Sequence, residues 1–457
     1  MQNLEHKMKR SAVWLAAAVL AAAAYAAPEY VWTYRYGPAV GGTYQPLASF
    51  VDDTGNVLVV GWQAVDTTAL AVFVIKIDSL GQLVWQETYA NMTAAGAVRD
   101  TSGNIYVAGV TRGTSTNRQI CVLRYKPNGD RDWVKTYSES GKNFSALGSI
   151  ALDDSQNVYA CGAAESSSCF AVRVLRCRPN GTRVDTIRYV PLGYGQLCDG
   201  EFHVAHNGEV YLALSVEHPT RWQDCLAVKL SRQGVLQWER LWRNSDSTWE
   251  QPRWSQLDEL GNTYITGISA RRTSQAQSSF FTLKIDSLGD TAWSREYNGP
   301  ENLRDEPRFL LFDRGCVYVA GWSMYKEAGE DLAIALVKYD SLGNELWASR
   351  YGGADTTTDL GYEYTSDDWP RFCSMKVDQF GNVYLAGHSW HFDTGVIGVL
   401  LQYTPQGDLL QVRKLGTPGE RWFCAIADVD NAGAFYAIGQ VRGGGRTDVF
   451  VVKYRGM

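Results

Sequence analysis

The 457-residue chain lacks the short signatures that mark several large enzyme classes. It has no G-x-S-x-G elbow, no H-E-x-x-H, no phosphate loop and no dinucleotide fingerprint, which excludes the chemistries those motifs carry. Helix-period patterning does not rise above background anywhere, so the fold is not expected to rest on helices. Beyond the first 26 residues no apolar run approaches the ~20 residues a membrane-spanning helix needs. An excess of positive charge is missing too. The formal net charge is −6, which argues against nucleic acid or an anionic membrane as the main partner. The nine cysteines form no C-x-x-C pair, no two are adjacent, and no histidine stands near them at metal-ligand spacing. Their odd number leaves at least one thiol free or paired between molecules. Cys161 occupies a position where other copies of a repeat carry alanine, the behaviour of a small buried hydrophobe. A local Cys161–Cys169 bridge is the alternative.

What is present begins with a leader. Lys7, Lys9 and Arg10 precede the apolar run SAVWLAAAVLAAAAYA, and Ala24-Tyr25-Ala26 fits an A-x-A cleavage site. Residues 1–26 therefore read as a signal peptide, and the protein as exported to the periplasm, cell surface or medium. Their removal takes the formal net charge from −6 to −8.

Self-similarity dominates the remainder. The phrase D-x-x-G-N-apolar-Tyr-apolar-x-Gly recurs eight times, as in DTSGNIYVAG (100–109) and DQFGNVYLAG (378–387). Its turn positions 55, 103, 156, 208, 261, 315, 381 and 433 are 48, 53, 52, 53, 54, 66 and 52 residues apart. A second phrase follows each first one around Gly81, Gly129, Gly181, Gly234, Gly289, Gly343 and Gly407. Both phrases read as hairpin turns, with Asp or Pro opening a type I turn and Gly taking the left-handed position after it. Each unit thus holds four strands. In the third these are ALGSIALD, NVYACGA, FAVRVLRC and VDTIRY. Eight four-stranded units predict an all-β fold, an eight-bladed β-propeller of four antiparallel strands per blade, as a single domain over residues 27–457.

The last unit stops at VVKYRGM, without the W-x-x-x-Y segment that ends other copies (Trp85/Tyr89, Trp293/Tyr297, Trp347/Tyr351). That spacing reappears in VWTYRYG, as Trp32 and Tyr36. Residues 31–36 are therefore expected to complete the last blade with 424–454. The recurring tryptophan reads as a filler of the wedge between blades. Asp185 and Gln411 replace it in two units, which must fill the wedge otherwise. A basic residue stands five before the second glycine (Lys76, Arg124, Arg176, Lys229, Lys284, Lys338, and Lys453 in the truncated copy). It is expected to pair with a turn carboxylate or reach to water.

The short turns share one face, so the longer and more variable second-to-third-strand loops and blade-to-blade crossings share the other. Loops on a rigid scaffold are where binding residues concentrate. Pro252-Arg253-Trp254, Pro307-Arg308-Phe309 and Pro370-Arg371-Phe372 recur in successive units, and Glu420-Arg421-Trp422 is a near copy. Their offsets from the turn aspartates are odd, which puts the four arginines on one side of the innermost strands. Glu250, Glu306, Asp368 and Glu420 precede them. Two readings stand: a girdle of Arg–carboxylate pairs bracing the blades, or a ligand site. In the second, Arg253, Arg308, Arg371 and Arg421, with Trp222, Trp249, Tyr362, Tyr364, Trp369 and Trp390, hold a carbohydrate, anionic or protein ligand. No catalytic residue, metal or cofactor is predicted. DVDNAG (428–433) falls short of a calcium loop because Ala432 breaks the pattern. His203 and His206 are expected on a strand, facing opposite ways. His388 and His391, expected in a loop, make a weak metal candidate.

Taken with LVKYDSLGNELWASRYGG (336–353), DQFGNVYLAG resembles the bacterial SBBP-type β-propeller repeat over essentially all of residues 30–455. The resemblance implies an exported or surface-associated propeller without assigned catalytic residues. The glycine-to-Trp spacing of IDSLGQLVW is also similar to the tryptophan-docking repeat of quinoprotein dehydrogenases. Those enzymes carry adjacent cysteines, which this chain lacks. The leading expectation is a non-enzymatic binding or scaffold module. The alternative is a polysaccharide-active hydrolase or lyase with its site in the same funnel.

Overall fold

The computed structural model describes residues 29–37, 42–64, 70–111, 118–140, 142–165, 170–191, 197–218, 221–245, 247–271, 274–324, 332–352, 374–391 and 395–455. The expected signal segment, 1–26, lies outside them. Strand β1 is Glu29–Tyr36. Blade 1 is β2–β5 (Thr43–Val51, Val57–Ala64, Leu70–Ile77, Leu83–Ala90) and blade 2 is β6–β9 (Met92–Arg99, Ile105–Thr111, Ile120–Tyr125, Arg131–Tyr137). Blade 3 is β10–β13 (Asn143–Leu152, Val158–Glu165, Phe170–Cys177, Arg183–Tyr189) and blade 4 is β14–β17 (Leu197–Val204, Val210–His218, Arg221–Leu230, Leu236–Trp242). Blade 5 is β18–β21 (Thr248–Leu257, Thr263–Arg271, Ser274–Ile285, Thr291–Tyr297) and blade 6 is β22–β25 (Asp305–Asp313, Cys316–Met324, Leu332–Asp340, Glu345–Tyr351). Blade 7 is β26–β29 (Ser374–Val377, Val383–His391, Gly395–Tyr403, Leu409–Leu415), and blade 8 begins with β30–β32 (Arg421–Val429, Phe435–Gly443, Arg446–Arg455).

Each blade is an antiparallel meander. In blade 8, β1 is the fourth strand: it pairs antiparallel with β32, Tyr36 opposite Val449 and Glu29 opposite Arg455. The first strands lie side by side in the order β2, β6, β10, β14, β18, β22, β26, β30, and β30 lies against β2. The protein is an eight-bladed β-propeller with these strands innermost. Eight buried apolar clusters make up the core, and each lies between two successive blades.

The recurring residues lock those boundaries. Each fourth-strand Trp reaches into the next blade, where its indole N–H donates to a carbonyl of the third-to-fourth-strand turn. Trp85 bonds Pro127 at 3.2 Å, Trp133 bonds Pro179 at 3.0 Å, Trp238 bonds Ser287 at 3.1 Å and Trp293 bonds Ser341 at 3.1 Å. The indole ring lies under the turn glycine, so closely that a Cβ on Gly343 would come within 2.6 Å of Trp293. Trp32, from the start of the chain, docks the same way on blade 1, with its N–H 3.0 Å from the Ser79 carbonyl and its ring under Gly81.

Both exceptions to the Trp rule have a physical reason. At Asp185 the carboxylate holds Arg176, which donates to the Arg232 carbonyl at 3.2 Å in place of an indole, while Ile187 packs beneath Gly234. Gln411 faces blade 8, whose third and fourth strands come from opposite ends of the chain, so there is no turn for a Trp to dock on.

The basic residue of each repeat does more than the sequence suggests. It sits over the ring of the repeat's Tyr: Lys284 over Tyr264 at 5.2 Å, Lys338 over Tyr318 at 5.0 Å and Lys453 over Tyr436 at 4.9 Å. In blades 2, 3, 5, 7 and 8 the Tyr hydroxyl donates to the turn aspartate. In blades 2, 3, 5 and 8 cation, ring and carboxylate thus form one stack, while in blade 7 Gln402 takes the cation's place and donates to the Tyr384 hydroxyl. In blade 1 the ring is absent because Leu58 replaces Tyr, and Lys76 instead lies 4.0 Å from Asp52.

Candidate functional site

The arginines of the candidate site enter on the innermost strands, and a β-bulge governs their placement. In β18, Pro252 pairs with Gly267 and Trp254 with Thr266, which leaves Arg253 as the extra residue. In β22, Pro307 pairs with Gly321 and Phe309 with Ala320, which leaves Arg308. The bulge is why the repeat phrase ends in glycine. A Cβ on Gly267 would lie 2.2 Å from the Gln251 carbonyl oxygen, and one on Gly321 2.1 Å from that of Glu306. A bulge re-aims its extra side chain, so Arg253 and Arg308 occupy equivalent positions in adjacent blades.

Arg421 does not join them. In β30 the bulge falls between Cys424 and Ile426, so Ala425 is the equivalent residue. Arg421 pairs with Arg442 four residues earlier, at the start of the strand, and is exposed. Counting in twos from the turn aspartate fails here because the bulge inserts a residue and reverses the alternation. Arg371, Tyr362, Tyr364 and Trp369 lie outside the described residues. Trp222 and Trp390 belong to β16 and β27, near the loops that join second to third strands. Trp249 is half-buried, and among the described residues its indole nitrogen has no hydrogen-bond partner.

Acids hold Arg308 and, at the seam of blade 8, Arg35. Arg308 pairs with Glu306 at 3.0 Å, and Glu306, 2 % exposed, also takes Arg304. Arg304 in turn lies over the Trp322 ring at 5.3 Å. Glu420 accepts both guanidinium N–H groups of Arg35, each at 2.7 Å, and these bonds hold its carboxyl down to about 2. Arg35 also covers Trp422 at 5.0 Å, so the pair ties β1 to the start of blade 8.

Two further carboxyls occupy an unexpected place. Tyr44, Met92, Phe144 and Trp422 stand two residues before the bulge pair in blades 1, 2, 3 and 8, and all are buried. Blades 5 and 6 carry Glu250 and Asp305 at that position, both fully buried. Burial pushes Glu250 up to about 7 and Asp305 up to about 6. Each fastens the crossing that leads into its blade. Asp305 accepts the Gly299 N–H at 2.6 Å, and the Asn244 N–H and Thr248 hydroxyl support Glu250. Asp305 sits directly before the Glu306 singled out by the sequence. Its role has no sequence signal beyond an acid standing in an apolar column.

Side chains also clasp neighbouring inner strands, which share no backbone ladder. His203 meets Ser255 at 2.8 Å, Gln256 accepts the Phe312 N–H at 2.7 Å, and Lys376 lies 3.8 Å from Asp428. His206 is in the turn after β14, not on the strand, and contacts Asp154 at 2.7 Å. His388 and His391 belong to β27 rather than to a loop, and burial pushes His388 down to about 4. Among the described residues no group of three or more His, Cys, Asp or Glu is arranged to hold a metal. Cys121, Cys161, Cys177 and Cys225 are free and buried, Cys316 is free and partly buried, and Cys424 is buried.

No protein-family model matches the chain, and no curated protein matches it either. Among solved structures it is similar to the Dos1 propeller, at 9 % identity and a TM-score of 0.52, covering 93 % of this chain and 95 % of that one. The polysaccharide lyase Uly1 follows at 10 % identity and a TM-score of 0.48, with 91 % and 90 % covered. The WD40 domain of Toxoplasma gondii coronin follows at 10 % identity and a TM-score of 0.43, with 79 % and 80 % covered. Likeness at this level of identity speaks for the β-propeller fold alone.

Proposed function

We propose that the chain is an exported, non-enzymatic binding or scaffold propeller of the SBBP-repeat type. Its loop-rich face takes a carbohydrate, anionic or protein ligand through Arg253, Arg308 and the neighbouring aromatic residues. The observation that carries this reading is the pairing of guanidinium groups with acids: Glu306 on β22 is shared by Arg304 and Arg308, and Glu420, just before β30, is taken by Arg35 of β1. Guanidinium groups already held by acids are rigid, oriented donors, suited to recognition and to bracing rather than to proton transfer. The carboxyls with raised proton affinity, Glu250 and Asp305, are sealed from solvent and bonded to the crossings, which keeps them from acting on a substrate. Export is supported by the basic start, the apolar run and Ala24-Tyr25-Ala26.

Glycan and peptide arrays with the processed chain test the ligand. Binding that falls at least tenfold in R253A/R308A supports the site, and an array without a hit sinks it. Incubation with the array polysaccharides tests the other half. Release of shorter fragments overturns the non-enzymatic reading.

A further inference from the structure

The turn face, opposite the loops, carries an apolar arc that the fold does not require. In each hairpin turn the residue before the left-handed position, glycine in all but the Gln156 turn of blade 3, is the turn's tip. The opening residue and the glycine do the structural work. In DSLG, for example, the Asp286 carboxylate accepts the N–H groups of Leu288 and Asp290, and Gly289 takes φ 94°. The tip is free to be polar, and elsewhere in the ring, Leu80 and Ala432 aside, it is Thr54, Ser102, Asn128, Ser155, Asn180, Asn207 or Gln233. Blades 5 to 7 break this habit. Leu260, Leu288, Leu342 and Phe380 occupy four of their six tips and are 79 %, 79 %, 72 % and 74 % exposed. In the other blades only Leu80 is comparable.

These tips are held in fixed relation. The Asn262 side chain accepts the Ser287 N–H at 3.2 Å, joining the turns of Leu260 and Leu288. Trp293 bonds the Ser341 carbonyl at 3.1 Å, which binds blade 5 to the turn of Leu342. Arg314 donates to the Gln379 carbonyl at 2.9 Å, which anchors the turn of Phe380 to blade 6. Exposed acids stand among them: Glu259, Glu345 and Asp408. Of the neighbouring cations, Lys284 and Lys338 are engaged over tyrosine rings, and the half-exposed Arg314, itself at a tip, is paired with Asp313 at 2.6 Å. Rigid apolar tips set among exposed negative charge mark a protein-binding surface more than a solvated one.

We propose that the turn face of blades 5 to 7 is a docking surface for a protein segment in which apolar side chains alternate with lysine or arginine. A second copy of the same face would bring like charges together, and an anionic bilayer would be repelled. The acidic setting therefore selects a basic apolar partner.

The test uses the full chain and a helical peptide with Leu at i, i+3, i+4 and i+7 and Lys between them. Its counterpart with Glu for Lys and phosphatidylcholine vesicles are the comparison probes. The Lys peptide is expected to bind, to weaken in 0.5 M salt as screening demands (roughly threefold or more), and to lose about tenfold or more in L260S/L288S/L342S/F380S. L80S is expected to bind unchanged. Because all four side chains are exposed, the quadruple variant should melt as the parent does. No binding of the Lys peptide, equal binding of the Glu peptide, or binding unaffected by the quadruple change overturns the proposal. Vesicle binding that the quadruple change abolishes also overturns it, in favour of a lipid surface.

Discussion

At the scale of single residues, two kinds of glycine do different work. The turn glycines are legible because the left-handed backbone penalises every other residue. Gln156 holds that conformation at φ 58° in blade 3. Replacing it by glycine should relieve the strain, and Q156G is expected to gain about 1 kcal/mol, read as a higher denaturation midpoint. The glycines that close the first phrase are legible as repeats but not as necessities, because what they avoid belongs to another strand. A Cβ on Gly439 would meet the Phe423 carbonyl oxygen at 2.0 Å, so G439A should cost roughly 2–4 kcal/mol. Blade 4 supports this account. There Leu214 takes the glycine position, and the strand opposite is regular where Gly200 faces it. A Cβ on Gly200 would meet the far end of the Leu214 side chain at 2.7 Å and the Ala213 carbonyl oxygen at 3.1 Å rather than a backbone oxygen at 2.0 Å, so G200A should cost less than G439A in the same titration. The same bulge decided the candidate site. It kept Arg253 and Arg308 in equivalent positions and separated Arg421, a distinction no count along the sequence could make.

At the scale of the element, the boundary between blades is the unit of stability. Trp293 fills the wedge between blades 5 and 6 and is 8 % exposed. W293A should lose about 3–5 kcal/mol by thermal or chemical unfolding. Q411W should gain almost nothing, since blade 8 offers no turn to receive the ring. Glu250 introduces a pH dependence at the boundary of blades 4 and 5. Its folded carboxyl is raised from 4.5 to about 7, so between those values the native state holds a proton that the unfolded chain releases. Stability from this group is therefore greatest below about pH 4.5 and is lost as pH rises to about 7. Asp305 adds a smaller loss of the same sign between 3.8 and about 6. E250Q is expected to flatten the pH dependence and to be more stable than the parent at pH 8 by on the order of 2 kcal/mol. An unchanged melting curve across pH 5–8 in the parent would show that the carboxyl is not proton-linked.

At the scale of the whole molecule, the two ends of the chain share one sheet. Trp32 and Tyr36 from β1 join the core cluster between blades 8 and 1. Deleting Glu29–Tyr36 should strip those residues from the cluster and leave β32 as an open edge. The expected result is a lower melting temperature together with concentration-dependent association in size-exclusion chromatography. The ligand reading belongs to this scale as well, because it depends on which side chains the blades bring to one face.

The sequence by itself determined the number of blades, the four strands in each, the turns and the wedge tryptophans. All of these follow from local rules repeated eight times: period-two alternation, left-handed turn positions and the volume of one aromatic ring. Only the tertiary structure decided what depends on how strands pair and blades pack. It set the bulge that aims Arg253 and Arg308, the acids that hold Arg308 and Arg35, and the burial of Glu250 and Asp305 in a column of apolar residues. Arg35 and Glu420 lie 385 positions apart, and even Arg308 and Glu306, two apart, are set by a bulge and by burial that no local pattern in the chain records.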